Sequence, residues 1–258
     1  MTDPLAFSAN LARETGQLLL RYYRAPNTQS QLKPDQTILT EADLAADRHI
    51  AQTIHTHFPN DPILSEENNT IYAGQTTWVI DPLDGTSNFT LGIHYWGVSI
   101  ARIVGGWPDI AALYFPVIGE LYTARRGGGS QLNGAAIRAN SISDSRQVAF
   151  FTCDSRIFRR YHVKIPYKAR ILGSAAYNFC AVARGVSTIG FETIPRIWDI
   201  AASWLVLVES GGAVYPYDDS PFPLIPGTNY KDMPFPTLGA GSEETLVQAR
   251  TRITKKQN

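Results

Sequence analysis

Trp78-Val79-Ile80-Asp81-Pro82-Leu83-Asp84-Gly85-Thr86-Ser87-Asn88-Phe89 is the stretch that decides how this chain is read. An apolar run of strand character stops at Asp81. A second carboxylate follows across a proline, and Gly85-Thr86 then opens a helix. Asp, Pro and Gly all favour turns, so an Asp-Gly pair alone signals little more than a turn. At the end of a buried strand, however, two carboxylates need compensation by cations or hydrogen bonds. Free backbone N–H groups and a hydroxyl lie directly behind them, where a phosphate could be held, and carboxylate oxygens suit hard cations. The stretch therefore points to metal-assisted hydrolysis of a phosphate ester.

Lys+Arg and Asp+Glu each total 23 in 258 residues, so no overall field favours nucleic acid or an anionic membrane. Any anionic substrate must be drawn by something local. Cys153 and Cys180 lie far apart without CxxC spacing, which fits a reducing compartment and two buried thiols. Acidic residues such as Asp3 and Glu14 interrupt the N-terminal apolar residues, leaving no signal-peptide core. No apolar run approaches the roughly 18 residues of a membrane span. The expectation is a cytoplasmic protein without a membrane or nucleic-acid partner.

Helical spacing runs from Leu5 to Tyr23 and again from Thr40 to Phe58, with a polar loop over 27–35 between them. Pro62–Ser65 reads as a short strand leading to Glu66-Glu67. After the Asp81 stretch, Trp96–Val104, Ile110–Val117 and Glu120–Ala124 alternate with Gly-containing turn signals, as in an antiparallel meander. Texture changes near 141–146. Beyond it, strands at 147–152, 169–172, 187–192 and 213–217 alternate with helices at 155–162, 175–184 and 196–210. The chain thus divides into an α+β half (1–146) and an α/β half (147–258), with a polar, basic, frayed end over 251–258.

Other candidate residues carry competing explanations. Glu66 or Glu67 can supply a third carboxylate, but only one points inward, because successive extended residues face opposite ways. Asp199, in Pro195-Arg196-Ile197-Trp198-Asp199-Ile200-Ala201-Ala202, sits in a helix's first turn, where an acid is favourable on electrostatic grounds alone. A helix this apolar is buried, though, and a buried carboxylate asks for a partner. Asp43 answers Thr40 as a capping box, which accounts for it without a metal, and it can serve both purposes. Gly127-Gly128-Gly129 lacks a following Lys-Ser/Thr and reads as a hairpin or bulge. The basic run Arg156, Arg159, Arg160, Lys164, Lys168 and Arg170 reads as a solvated surface, with contact to an anionic substrate as the alternative.

Together these segments resemble the inositol monophosphatase family of Mg²⁺-dependent phosphatases. The matching pieces are Glu66-Glu67, Asp81–Phe89, Gly173-Ser174-Ala175-Ala176, Glu192, and Trp198–Ala202 with Gly211-Gly212 after it. The resemblance implies a layered α-β-α-β-α sandwich of the sugar-phosphatase type. Carried over position by position, it implies that Glu66, Asp81 and the Leu83 carbonyl hold one Mg²⁺, and Asp81, Asp84 and Asp199 a second. It also places Asp43 in an outer shell or near a third ion, while Glu66 and Thr86 orient the attacking water. Asp84, Gly85, Thr86, Ala175, Glu192 and Asp199 would meet the substrate, with Lys33 on a loop closing over the metals. Sensitivity to Li⁺ and a homodimer follow from the same likeness. The implied substrate is a small phosphorylated polyol or sugar, with inositol monophosphate first. Fructose 1,6-bisphosphate, histidinol phosphate and a nucleotide 3′-phosphate are the competing substrates, and a non-catalytic metal- or phosphate-binding regulator is the rival of a different class. A short interval between Glu66 and Asp81, and His94-Tyr95-Trp96 after the motif, depart from the family pattern and bear on the substrate more than on the chemistry.

Overall fold

Trp78, Val79 and Ile80 are all buried, yet Val79 enters one core while its two neighbours enter another. Successive strand residues point to opposite faces, so a strand with this pattern needs cover on both sides. The computed structural model describes residues 2–23, 30–32, 38–140 and 149–256 and supplies that cover.

The first half of the chain runs α1 (Pro4–Tyr23), β1 (Ser30–Leu32), β2 (Ile38–Thr40), α2 (Glu41–His57), β3 (Ile63–Ser65), β4 (Thr76–Asp84), α3 (Thr86–Leu91), β5 (Gly97–Val104), β6 (Trp107–Phe115), β7 (Glu120–Arg125), β8 (Gly129–Leu132) and β9 (Ala135–Ala136). The second half continues with β10 (Phe150–Cys153), α4 (Ile157–Arg160), β11 (Tyr161–Val163), β12 (Lys168–Arg170), α5 (Ala175–Ala183), β13 (Ile189–Glu192), α6 (Ile197–Glu209), β14 (Ala213–Pro216), β15 (Thr237–Ala240), α7 (Glu243–Arg250) and β16 (Ile253–Lys255).

Strands β3 to β9 form a seven-stranded sheet in sequence order. Its β3–β4 pair is parallel and the rest is the expected antiparallel meander. Helices α1 and α2 cover the face that receives Trp78, Ile80, Trp96 and Ile100, while α5 and α6 cover the face that receives Val79, Ala101 and Leu113. A five-stranded sheet of order β12-β10-β13-β15-β14 lies on the other side of α5 and carries α7 on its far face. Phe151, Ile189, Phe191, Leu238 and Leu246 make this third core. The five layers are those of the α-β-α-β-α sandwich.

Three expectations change. Strand β4 does not end at Asp81 but continues to Asp84 through a register irregularity, Asp81 pairing with Ser99 and Asp84 with Gly97; Pro82 has no N–H to give the ladder there. The helix expected over 155–162 is only Ile157–Arg160, because Tyr161–Val163 leaves it to pair with β16. Residues 251–256 are accordingly not a frayed end: Ile253 and Tyr161 are buried in the third core. The second sheet is also mixed, with β15 antiparallel to both neighbours. The expected boundary near 146, like Lys33, lies outside the described residues.

Candidate active site

The β4 irregularity is what places two acids side by side at one sheet edge. Asp81 and Asp84 are both buried. Asp81 Oδ1 accepts the Leu83 N–H at 3.0 Å. Asp84 accepts the Ser174 hydroxyl and, at 3.2 Å, the Ala175 N–H. Gly85 takes a left-handed φ of +86° and caps α3. A Cβ there would sit 2.9 Å from the Tyr95 carbonyl, so only glycine lets the chain turn so tightly onto Thr86. Asn88 then bridges outward, its Nδ2 donating to the Tyr95 and Leu172 carbonyls at 2.6 and 2.7 Å. That bridge fixes the loop that carries Ser174 against the motif.

Thr86 is the pivot. Its single O–H proton has two acceptors in reach, Asp43 Oδ1 at 3.1 Å and the Leu83 carbonyl at 3.0 Å. Asp43 also completes the capping box of α2, accepting the Thr40 N–H at 2.7 Å on its other oxygen. The capping role foreseen for Asp43 is present, and its other oxygen is held by the motif hydroxyl. One turn on, buried Asp47 accepts hydrogen bonds from Ser65 Oγ and Asn68 Nδ2 and so anchors the turn that presents Glu66-Glu67. Between those two, Glu66 is the one whose charge acts on Asp43, Asp81, Asp84 and Asp199.

Asp199 arrives from α6. Its Oδ2 accepts the Arg196 N–H at 2.7 Å, capping the first turn of the helix. Ser99, the partner of Asp81 across the sheet, donates to the Trp198 carbonyl at 3.4 Å, which brings the start of α6 to the Asp81 edge. Glu192 ends β13, buried, with Oε1 accepting from Asn178 Nδ2 at 2.5 Å.

Burial pushes the Asp81 and Asp199 carboxyls well above the usual carboxylate range, with neighbouring carboxylates adding to it. Asp84 is pushed up to about 7, chiefly by burial and against the pull of its hydrogen bonds from Ser174 and Ala175. Burial also raises Asp43 and Asp47. Glu192 is raised well above its ordinary value, by burial first and then by Asp154. The two thiols are buried and unpaired; burial pushes Cys153 up to about 12 and raises Cys180 well above its ordinary value, which disfavours the thiolate that a nucleophile needs.

The donor set is all oxygen: four carboxylates, a fifth behind Thr86, and the Leu83 carbonyl. Oxygen donors suit Mg²⁺ and similar hard cations, and mutually raised carboxylates are compensated by such ions. Among the described residues, no three His, Cys, Asp or Glu side chains converge tightly enough to grip an ion as they lie. Backbone N–H groups and Ser174 hold oxygens of Asp81, Asp84 and Asp199.

A model of the inositol monophosphatase family matches residues 1–239. The chain belongs to that family. Its members are phosphatases, generally metal-dependent. An inositol monophosphatase of Dictyostelium discoideum is 33% identical over 226 residues, covering 81% of this chain and 83% of its own. A histidinol-phosphatase of Chlorobaculum parvum is 32% identical over 225 residues (84% and 87%). The Nus factor SuhB of Escherichia coli is 33% identical over 227 residues (83% and 85%). Among solved structures, a Thermotoga maritima IMPase superposes with a TM-score of 0.81 at 28% identity, over 97% of this chain and 98% of its own. No helix of the described residues is long and apolar enough to cross a membrane.

Ser174, Asn88, Asn178 and Asp47 hold the site together and are not legible as such in the sequence. Asp47 had a faint signal: it lies four residues after Asp43, on the same face of α2 as buried Ala46 and Ile50.

These raised carboxyls make a pH prediction. A group whose folded pKa lies above its unfolded value stabilises the fold below the unfolded pKa, and the contribution is lost as pH rises through the folded pKa. For Asp84 that window runs from about 4 to about 7. Chelator-treated protein should therefore lose melting temperature across it, and Mg²⁺ should raise Tm more at pH 8 than at pH 5, because bound ions need ionised ligands. Equal Mg²⁺-induced shifts at both pH values would contradict the cluster's role.

Proposed function

We propose that this protein hydrolyses a small phosphate monoester with the help of Mg²⁺, and that inositol monophosphate is its first candidate substrate. The observation that carries the reading is the Thr86–Asp43 hydrogen bond set behind the Glu66, Asp81, Asp84 and Asp199 cluster. Phosphoryl transfer from a monoester needs positioning and charge neutralisation more than covalent help. Bound divalent ions would neutralise the phosphate and lower the pKa of water. Glu66, Asp81 and the Leu83 carbonyl would hold one ion, and Asp81, Asp84 and Asp199 a second.

The rest falls to the chain. Thr86 Oγ1, already donating to Asp43, can accept a hydrogen bond from the attacking water, so that a proton leaving the water passes toward the Asp43 carboxylate. A raised pKa makes Asp43 a stronger base for that task. Glu66 faces the same water from the other side. The Gly85 and Thr86 N–H groups at the start of α3 meet phosphate oxygens. Glu192 and the Ala175 backbone meet substrate hydroxyls, although the Ala175 N–H is engaged by Asp84 in this conformation. Li⁺ would compete for a weakly held Mg²⁺ position. A cytoplasmic homodimer is the form in which we expect it to act.

Measuring kcat/KM for a panel of phosphate monoesters with Mg²⁺ tests this directly. Inositol monophosphate should lead; histidinol phosphate in first place would move the chain toward the relative of that activity, and no turnover of any ester would favour a regulator. Glu192 should read substrate hydroxyls. Glu192→Gln is expected to lower kcat/KM for inositol monophosphate by about tenfold or more while sparing an aryl phosphate, since a buried hydroxyl-pairing group discriminates strongly. An equal loss on both substrates makes Glu192 structural.

A further inference from the structure

Two basic segments far apart in sequence become neighbours in this fold. Strands β11 and β16 pair antiparallel, with His162 opposite Thr254 and Val163 opposite Ile253. The ladder extends past both strand ends, the Lys164 N–H donating to the Arg252 carbonyl at 2.7 Å and the Lys256 N–H to the Arg160 carbonyl at 2.9 Å. Paired residues share a face and alternate residues share a side. Tyr161, Val163 and Ile253 face the third core. The opposite face therefore carries His162 and Lys164 in one file and Arg252 and Thr254 in the other, with Arg160, the last residue of α4, beside Lys256 at the end of the ribbon. All are exposed except Lys256, which is half-buried.

Neither segment, 156–164 or 251–256, contains an acidic residue. Lys255, on the other parity, turns to Asp218 at 3.4 Å and does not contribute. Phe158, 48% exposed, lies at the end of the ribbon, where Lys256 Nζ donates to its carbonyl at 2.7 Å. The chain's charge parity concealed this patch, because a balanced total says nothing about local arrangement.

We propose that the outer face of the β11–β16 ribbon binds single-stranded nucleic acid. The cations lie in two parallel files, with alternate positions about 6.8 Å apart along each strand. Such a track matches a linear chain of phosphates rather than a flat bilayer. An exposed ring beside the track offers a stacking platform for an unpaired base, the combination found where proteins bind single strands. This surface is independent of the phosphatase reading and uses none of its residues.

The test is fluorescence anisotropy of the full-length protein with a fluorescein-labelled 20-nucleotide oligouridine. Four permanent cations, Arg160, Lys164, Arg252 and Lys256, should weaken binding about fifty-fold between 50 and 200 mM salt, from a slope of about −0.7 per phosphate contact. Lys164→Glu with Arg252→Glu should abolish binding without changing Tm. The milder Lys164→Gln with Arg252→Gln should halve the salt slope, and it keeps the test valid should charge reversal disturb the fold. Phe158→Ala should weaken binding by about fivefold or more, the low end for a base on a ring. Absence of binding at 50 mM salt, or binding indifferent to both double variants, would overturn the proposal. So would polyglutamate competing as well as oligouridine, marking an acidic-protein surface, or association with phosphatidylserine vesicles without oligouridine binding.

Discussion

Asp81→Asn is expected to lower turnover by about 10³-fold or more, the scale of removing a main electrostatic stabiliser from a preorganised site. Asp81 sits among Glu66, Asp84 and Asp199, and in the proposed function it would serve two ions at once. The substitution changes volume little and deletes charge from both proposed ion positions. Its effect on the ion-free protein should have the opposite sign. Burial and neighbouring carboxylates disfavour the ionised form of Asp81, so the variant's Tm in chelator at pH 8 should match or exceed the parent's. Activity within tenfold of the parent at saturating Mg²⁺ excludes the bridging role. An inactive variant that has also lost Tm shows a structural role instead.

Thr86→Val should cost about 10²-fold in kcat with little change in KM, the usual scale of a positioned proton acceptor. The side chain keeps its shape and loses its bonds to Asp43 and Leu83. Thr86→Ser should recover most of the rate. Asp43→Asn can still accept the Thr40 N–H that caps α2, so it should slow turnover without unfolding the helix. If the two residues act as one unit, the double variant should be hardly slower than the worse single variant, because effects within such a unit are not additive. Additive losses would separate them, and a rise in KM alone would make Thr86 a binding residue.

Much of this was legible before any coordinates. The 3.6-residue spacing of α1, α2, α5 and α6 and the apolar runs of β5 to β7 place those elements close to their observed bounds, because their apolar residues face the cores. Asp81 and Asp84 stood out because carboxylates at a buried strand end conflict with their surroundings. What could not be read is long-range. Ser174 meets Asp84 across 90 positions of chain, and Asn88 meets Leu172 across 84; both lie in the stretches that carry the resemblance, but their bonding partners are not legible in local sequence. Tyr161–Val163 was misread because its strand partner, Ile253–Lys255, lies in a segment whose polarity suggested fraying. Helix α7 begins at a Ser242 cap followed by Glu243-Glu244, a start signal visible in the sequence. Asp43 was readable as a cap, but its bond to Thr86 depends on α2 and α3 meeting in space.

The most direct measurement is phosphate release from inositol monophosphate by chelator-stripped protein as Mg²⁺ is added back. The account predicts no turnover above the uncatalysed rate without the ion, and saturable restoration with it that Asp81→Asn does not share. Full turnover in excess chelator, or restoration by Mg²⁺ that is equal in parent and variant, would contradict it.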